Sequence, residues 1–361
     1  MIADAHTDLL MELAHRQHRL GESDVFARTW LPLFEAGGVG LQVCPIFVPL
    51  EHQPEGTLRH ALGQATSFHA AARENPERVC VVRTRGDLDA VERGERIGLV
   101  LALEGVEPFG YETWGVDLFW EVGLRVAGLT WNRRNPFADG AAEHGGLSGL
   151  GRSLLDRLAE RSVVLDLAHA SERLFWECLE RYRGRVTVTH AGCRAVHDHP
   201  RNLSDEQLRA LGEREGLFGL MLHPLAIGPE ERTIARVIGA ERLCLAGDWT
   251  GRLDEFVPHA PIPDGLMPPG LEEGSSIEGL AGHEDYPALV AALGARGWDG
   301  EWLEGLLSGN LIRFCARACR ADSTRSRVPA TVARQNRSWR DRLKFGPPMR
   351  PRSWRSGAAT A

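Results

Sequence analysis

The stretch VVLDLAHAS, residues 163–171, and the segment VTVTHAGCRAVHDHPRNL, residues 186–203, decide how this chain folds. Two aliphatic or β-branched runs each end on a histidine, His169 and His190, and small residues follow each one. Short, continuously apolar runs of this kind read as the buried strands of a parallel sheet. In parallel α/β sheets and barrels, ligands and catalytic groups gather at the carboxyl ends of the strands. A single histidine at a strand end is more often simply hydrogen-bonded to its surroundings. Two in succession, with matching partners upstream, point to a metal site.

Working outward, six further runs read as strands: 2–6, 40–48, 97–104, 124–130, 217–223 and 243–248. Amphipathic stretches at 57–75, 151–161, 172–183 and 230–238 lie between several of them. Eight strands alternating with helices predict an α/β fold, a (β/α)8 TIM-like barrel spanning residues 1–319. Residues 257–282, rich in Pro and Gly, read as a loop over the carboxyl face, and 286–297 and 300–307 as two short closing helices. From residue 320 the pattern gives way to Arg, Pro, Ser and Ala, a basic and disordered tail over 320–361.

Composition narrows the function. The 361 residues carry a net charge of −7, but the last 42 hold eleven Arg or Lys against two acids, which leaves the body near −16. An acidic body argues against nucleic-acid binding by the folded part. The abundance of arginine over lysine, with Lys344 the single lysine, reads as codon usage. No apolar run approaches the ~18 residues of a membrane span, and no signal-peptide pattern opens the sequence. Seven scattered cysteines without a CxxC pair read as reduced thiols, so we expect a cytoplasmic protein that does not engage a membrane.

The strand ends carry a consistent set of donors. His6 and Asp8 lie two apart at the first, Glu104 ends the third, His169 and His190 end the fifth and sixth, and Asp248 ends the eighth. A strand period of two would project His6 and Asp8 the same way. Imidazoles mixed with carboxylates suit zinc and similar divalent ions. His6, Asp8, Glu104, His169 and His190 are too many for one catalytic zinc, which commonly takes three protein ligands. They suit a binuclear site with two Zn2+, a bridging carboxylate and a water between the metals. Asp248, on the strand that closes against the first in a barrel, is placed to accept the water's proton and pass it to a leaving amine.

At these positions the chain resembles the membrane (renal) dipeptidases, metal-dependent dipeptidases of the amidohydrolase superfamily. ADAHTDLL, LALEGVEPFG, LTWNRRNPFADG, LSGLGRSLLDRL, VVLDLAHAS, VTVTHAGCRAVHDHPRNLSDEQLRAL, LCLAGDWTG and GWDGEWLEGLLSGNLIRF run in family order from about residue 2 to 315. The resemblance implies a (β/α)8 barrel with two zincs. His6 and Asp8 would hold one, His169 and His190 the other, Glu104 would bridge them, and Asp248 would be the acid/base residue. It also makes Arg201 the residue that holds a dipeptide's terminal carboxylate, a guanidinium fork matched to a carboxylate.

Two positions depart from the family. Trp131 stands where mammalian members have a histidine that supports the tetrahedral intermediate; an indole N–H is a donor only. His223 ends the seventh run where relatives tend to have asparagine, and it could partly replace the missing imidazole. Thr250 replaces the second acid of the family's strand-eight motif. The leading expectation is therefore a zinc dipeptidase that cleaves a dipeptide amide with the metal-bridged water, possible homo-oligomerisation being left open. The alternatives are a related amidohydrolase acting on another small amide or β-lactam-like ring, and a non-catalytic binding barrel.

Overall fold

Eight strands pair in parallel around a closed ring. In chain order the strands are β1 (Ile2–Asp4), β2 (Val39–Ile46), β3 (Val79–Val81), β4 (Ile97–Glu104), β5 (Leu124–Gly128), β6 (Val164–Asp166), β7 (Val186–Ala191), β8 (Leu217–Met221) and β9 (Leu243–Ala246). The ring runs β1-β2-β4-β5-β6-β7-β8-β9 and closes where Asp4 pairs with Leu245. This computed structural model describes residues 1–224, 226, 235–249, 266 and 277–319. The expected loop at 257–282 lies largely outside the described residues, as do residues 230–234, Thr250 and the basic segment from 320.

The ninth strand, β3, is not among those expected from the sequence. It is three residues long and pairs with the first half of β4, Val79 opposite Ile97 and Val81 opposite Leu99. β2 runs along one edge of β4 from Gly98 to Leu103. β5 takes the second half of the other edge, Ala102 opposite Val126 and Glu104 opposite Gly128, so β3 is an addition outside the ring.

Alternation along the strands separates two packed layers. Ala3, Ala5, Val43, Val100, Ala102, Val126 and Val164 fill the barrel, and Leu311, Ile312 and Phe314 of helix Asn310–Ala318 pack against them. Cys44, Ile46, Leu99, Leu101 and Leu103 point outward into the layer shared with the helices, among them Phe68 of helix Thr57–Glu74. Small residues inside and larger ones outside let eight strands close on a filled interior. Asn310 pins the closing helix by donating from Nδ2 to the carbonyls of Ala240 (2.8 Å) and Leu243 (2.7 Å), at the start of β9.

The helices that follow the two decisive strands begin on serine caps. Ser171 accepts from the Leu174 amide (3.0 Å) and opens helix Glu172–Arg181. Ser204 forms a capping box with Gln207 at the head of helix Asp205–Glu213. Each cap fixes where the preceding loop ends, two residues after His169 and three after Arg201. No helix among the described residues is long and apolar enough to cross a membrane.

Candidate metal centre

The strands stop earlier than the sequence pattern predicts, and this changes how the donors are presented. β1 ends at Asp4, β6 at Asp166 and β9 at Ala246, so His6, Asp8, His169 and Asp248 sit on the turns just beyond. Strand alternation therefore does not align His6 with Asp8. Asp8 is the residue before helix Leu9–Arg19, and the turn into that helix brings the pair together. His169 (φ 61°) and Asp248 (φ 47°) adopt the left-handed region that non-glycine residues seldom occupy. Backbone strain of this kind clusters where a side chain must be aimed.

Glu104 stands between two groups of donors. Its Oε2 lies 3.5 Å from His6 Nε2, and that nitrogen is 3.8 Å from Asp248 Oδ1 and 3.9 Å from Asp8 Oδ2. Its Oε1 lies 2.8 Å from His169 Nε2 and 3.7 Å from His190 Nε2. The last two nitrogens are 2.8 Å apart, and the His6 and His190 rings are tilted by 34° with centroids 3.7 Å apart. Donor atoms of His6, Glu104 and His190, and of His6, Asp8 and Asp248, each converge within 4.8 Å.

The donor chemistry fits a divalent cation. His6 Nε2 and Asp8 Oδ1 are buried without a hydrogen-bond partner among the described residues, a costly state for polar atoms. Burial and the Arg201 charge push the His169 imidazole down to about 3, and burial with the His6 charge also depresses His190. Both rings are therefore neutral, as a metal ligand must be. Burial opposes charge on His6, but Glu104, Asp8 and Asp248 together raise that ring to about 10, a pull on positive charge that a bound cation would satisfy in the proton's place. Burial alone would raise Glu104; His6 and His169 hold it well below the usual carboxylate range. Burial pushes the carboxyls of Asp8 and Asp248 up, with Glu104 adding to both.

Neighbours fix which ring nitrogen faces the centre. His169 Nδ1 lies 2.6 Å from Asn132 Oδ1, an acceptor, so that nitrogen carries the proton and Nε2 is left as the lone pair. Thr189 donates its hydroxyl to Asp166 Oδ2 (2.5 Å) and so receives His190 Nδ1–H at 3.0 Å. Asn132, Thr189 and Asp166 did not emerge as site residues from the sequence. Only their adjacency to Trp131, His190 and the VVLDLAH run signals them.

A model of the membrane dipeptidase family, peptidase family M19, matches residues 1–327. The chain belongs to that family. Mouse Dipeptidase 3 (Mus musculus) is 26% identical in an alignment of 336 residues that covers 86% of this chain and 63% of the relative, so the chain spans less than two thirds of it. Dipeptidase aclJ of Aspergillus oryzae is 24% identical in an alignment of 311 residues that covers 83% of this chain and 72% of its own. A metallo peptidase from Rhodobacter sphaeroides, solved with a phosphinate mimic of the dipeptide L-Ala-D-Ala, has a TM-score of 0.75 at 22% identity, over 88% of this chain and 99% of that one. Dipeptidase AC, a metallo peptidase of family M19, has a TM-score of 0.76 at 22% identity, over 88% and 98%. At that identity both structures speak for the fold.

Three further positions in this M19 chain border the donors. Arg201 is buried, with Nη2 3.1 Å from His169 Nε2 and 3.4 Å from the His190 carbonyl. Its loop is set by His199, whose Nε2 donates to the Leu266 carbonyl (2.7 Å) while Nδ1 accepts from the Arg201 amide (3.1 Å). His197 and His199 thus belong to the loop rather than to the donor groups. Trp131 is half-buried between Phe47 and His169, with ring centroids 5.3 and 6.0 Å away. His223, just past β8, is half-buried, and burial with the Arg201 charge lowers its imidazole to about 4.

Proposed function

We propose that this chain is a metal-dependent dipeptidase whose centre holds two divalent ions, zinc being the ion that its imidazole and carboxylate donors suit. The observation that carries this reading is Glu104, one oxygen turned to His6 and the other to His169 and His190. In this arrangement His6 and Asp8 would hold one ion and His169 and His190 the other, with Glu104 shared. Bound there, the ions would supply Lewis acidity to the scissile carbonyl and lower the pKa of a water.

The remaining steps belong to the chain's own residues. Asp248 lies on the His6 side of the rim, where it takes a proton from the attacking water and returns it to the leaving nitrogen. A carboxyl raised by burial suits that exchange. Arg201 presents a buried guanidinium beside His169, where a substrate's free carboxylate is bound and longer peptides are excluded. Trp131 forms an apolar wall next to His169, and its donor-only indole leaves room for a second reading, hydrolysis of another small amide. His223 supplies a neutral imidazole near Arg201, so His223→Gln should lower kcat/KM, and an unchanged value removes it from the site.

A panel of L-L and L-D dipeptides, each with a C-terminally amidated control, tests the reading on zinc-loaded protein. We expect turnover of the free dipeptides only, abolished by chelator. The phosphinate bound in the Rhodobacter protein mimics L-Ala-D-Ala, which makes that dipeptide the first compound to try. Turnover indifferent to amidation would favour the small-amide reading, and none with both ions bound would reject hydrolysis of dipeptides.

A further inference from the structure

Two buried aspartates near the centre belong to neither convergent donor group, Asp4 and Asp166. Their hydrogen bonds repeat the same design on opposite strand pairs. Asp4 Oδ1 accepts from the His6 amide (2.9 Å) beyond its own strand end and from the Gly247 amide (3.0 Å) just past β9. Asp166 Oδ1 accepts from the Ala168 amide (3.0 Å) on its own strand end and from the Thr189 amide (2.9 Å) on β7. The second oxygen of each takes a hydroxyl: Tyr286 at 2.6 Å for Asp4, Thr189 at 2.5 Å for Asp166.

The amides they hold are placed with equal regularity. Asp4 grips the amide of His6 itself and that of the residue before Asp248. Asp166 grips the amides of the residues before His169 and before His190. Where one strand of a pair has ended, the next N–H groups along both have no ladder partner, and each carboxylate supplies that acceptor for the two strands at once. At Gly247 the approach is close enough that a Cβ would lie 2.7 Å from Asp4 Oδ2.

We propose that Asp4 and Asp166 are paired positioning residues, each clamping two adjacent strand ends so that one half of the metal centre is held in register. Asp4 serves the half built from His6, Asp8 and Asp248; Asp166 serves His169 and His190. The Asp4 clamp also reaches the far end of the chain. Tyr286 and His283 (Nε2 3.3 Å from Asp4 Oδ2) lie where helix Tyr286–Ala295 begins, and His283 meets Gln42 Oε1 of β2 at 2.9 Å. The assignment of halves rests on the two-ion reading above, whereas the clamping does not.

The test uses Asp4→Ala, Asp166→Ala and the two Asn variants in the full chain. Amide exchange of metal-free protein is followed by mass spectrometry over peptides 1–8, 164–170, 186–191 and 243–249, and zinc binding is measured separately. Asp4→Ala should speed exchange at least ~10-fold in 1–8 and 243–249 alone, and Asp166→Ala in the other two peptides alone. Each should weaken one ion of two by ~10–100-fold, the range seen when the groups orienting metal ligands are removed. The Asn variants, which keep Oδ1, should stay close to wild type in exchange, while Asp166→Asn, whose Nδ2 would donate to Thr189 and turn that hydroxyl toward His190 Nδ1, should still weaken one zinc. Where an alanine variant fails to fold, Asp4→Ser or Asp166→Ser takes its place, with the same localised acceleration expected. Exchange that is unchanged, or accelerated equally in all four peptides, overturns the proposal, as do Asn variants that exchange as fast as the Ala variants. Localised exchange in a wild type that binds fewer than two zincs would keep the clamps and reject the two-ion reading.

Discussion

Arg201 illustrates how much one side chain is asked to do. It is buried against His169 and His190, and that burial lowers its pKa, with Asp248, Glu104 and Asp166 offsetting only part of the cost. Arg201→Lys keeps a cation but loses the planar fork. A charge-assisted hydrogen bond contributes ~1.5–3 kcal/mol, so kcat/KM for free dipeptides should fall ~10–100-fold, chiefly through KM. Steady-state kinetics check this; an unchanged KM would place the carboxylate elsewhere. Glu107 makes a different prediction. Its carboxyl end is enclosed although the residue as a whole is half-buried, and it accepts from Asn135 Nδ2 at 3.0 Å. Burial raises it from the ordinary 4.5 to about 7, against the Asn135 bond and with help from Glu104. The folded state therefore keeps a proton that the unfolded chain releases. Stability is intact below about pH 4.5 and declines as pH rises toward 7. Glu107→Gln should raise Tm relative to wild type more at pH 8 than at pH 5; an equal difference at both contradicts the sign.

The elements show which parts of the fold were legible in the sequence. β2 and β4 are eight residues of nearly continuous apolar sequence and β7 six residues rich in β-branched Val and Thr, all largely buried, and their positions follow from those patterns. β3 is three residues, and half-strand pairing leaves no pattern long enough to read. The donor identities were legible because each apolar run terminates in a polar group. Their presentation was not, because left-handed turns at His169 and Asp248 and the helix start at Asp8 depend on contacts distant in sequence. The carboxylates that hold those turns were missed for the same reason: Asp4 and Tyr286 are 282 residues apart. Caps are more local. Ser204, with Gln207 three residues on, starts the helix behind the Arg201 loop, and Ser204→Ala should cost about 1 kcal/mol in urea unfolding. A change within error would mean that packing, not the cap, sets that helix start.

Across the whole molecule, the ring closes between the first strand and the last one among the described residues. β1 pairs with β2 on one side and with β9 on the other, so closing the ring brings His6 and Asp248 to one rim. The cycle of strands and helices made the barrel legible, since alternating runs admit few other architectures. The interior is completed from the far end of the described chain, where Phe314 packs against the small residues of the strands. Phe314→Ala should cost ~3–5 kcal/mol, read as a lowered midpoint of thermal or denaturant unfolding; a loss under ~1 kcal/mol would mean that helix Asn310–Ala318 does not complete the core. We propose this barrel rim as a two-ion hydrolytic centre. Zinc titration into chelator-treated protein, with release of free alanine from Ala-Ala dipeptides followed at each addition, tests it most directly. We predict no turnover without metal and activity that rises to a plateau at two equivalents; hydrolysis by metal-free protein, or none with two zincs bound, would contradict it.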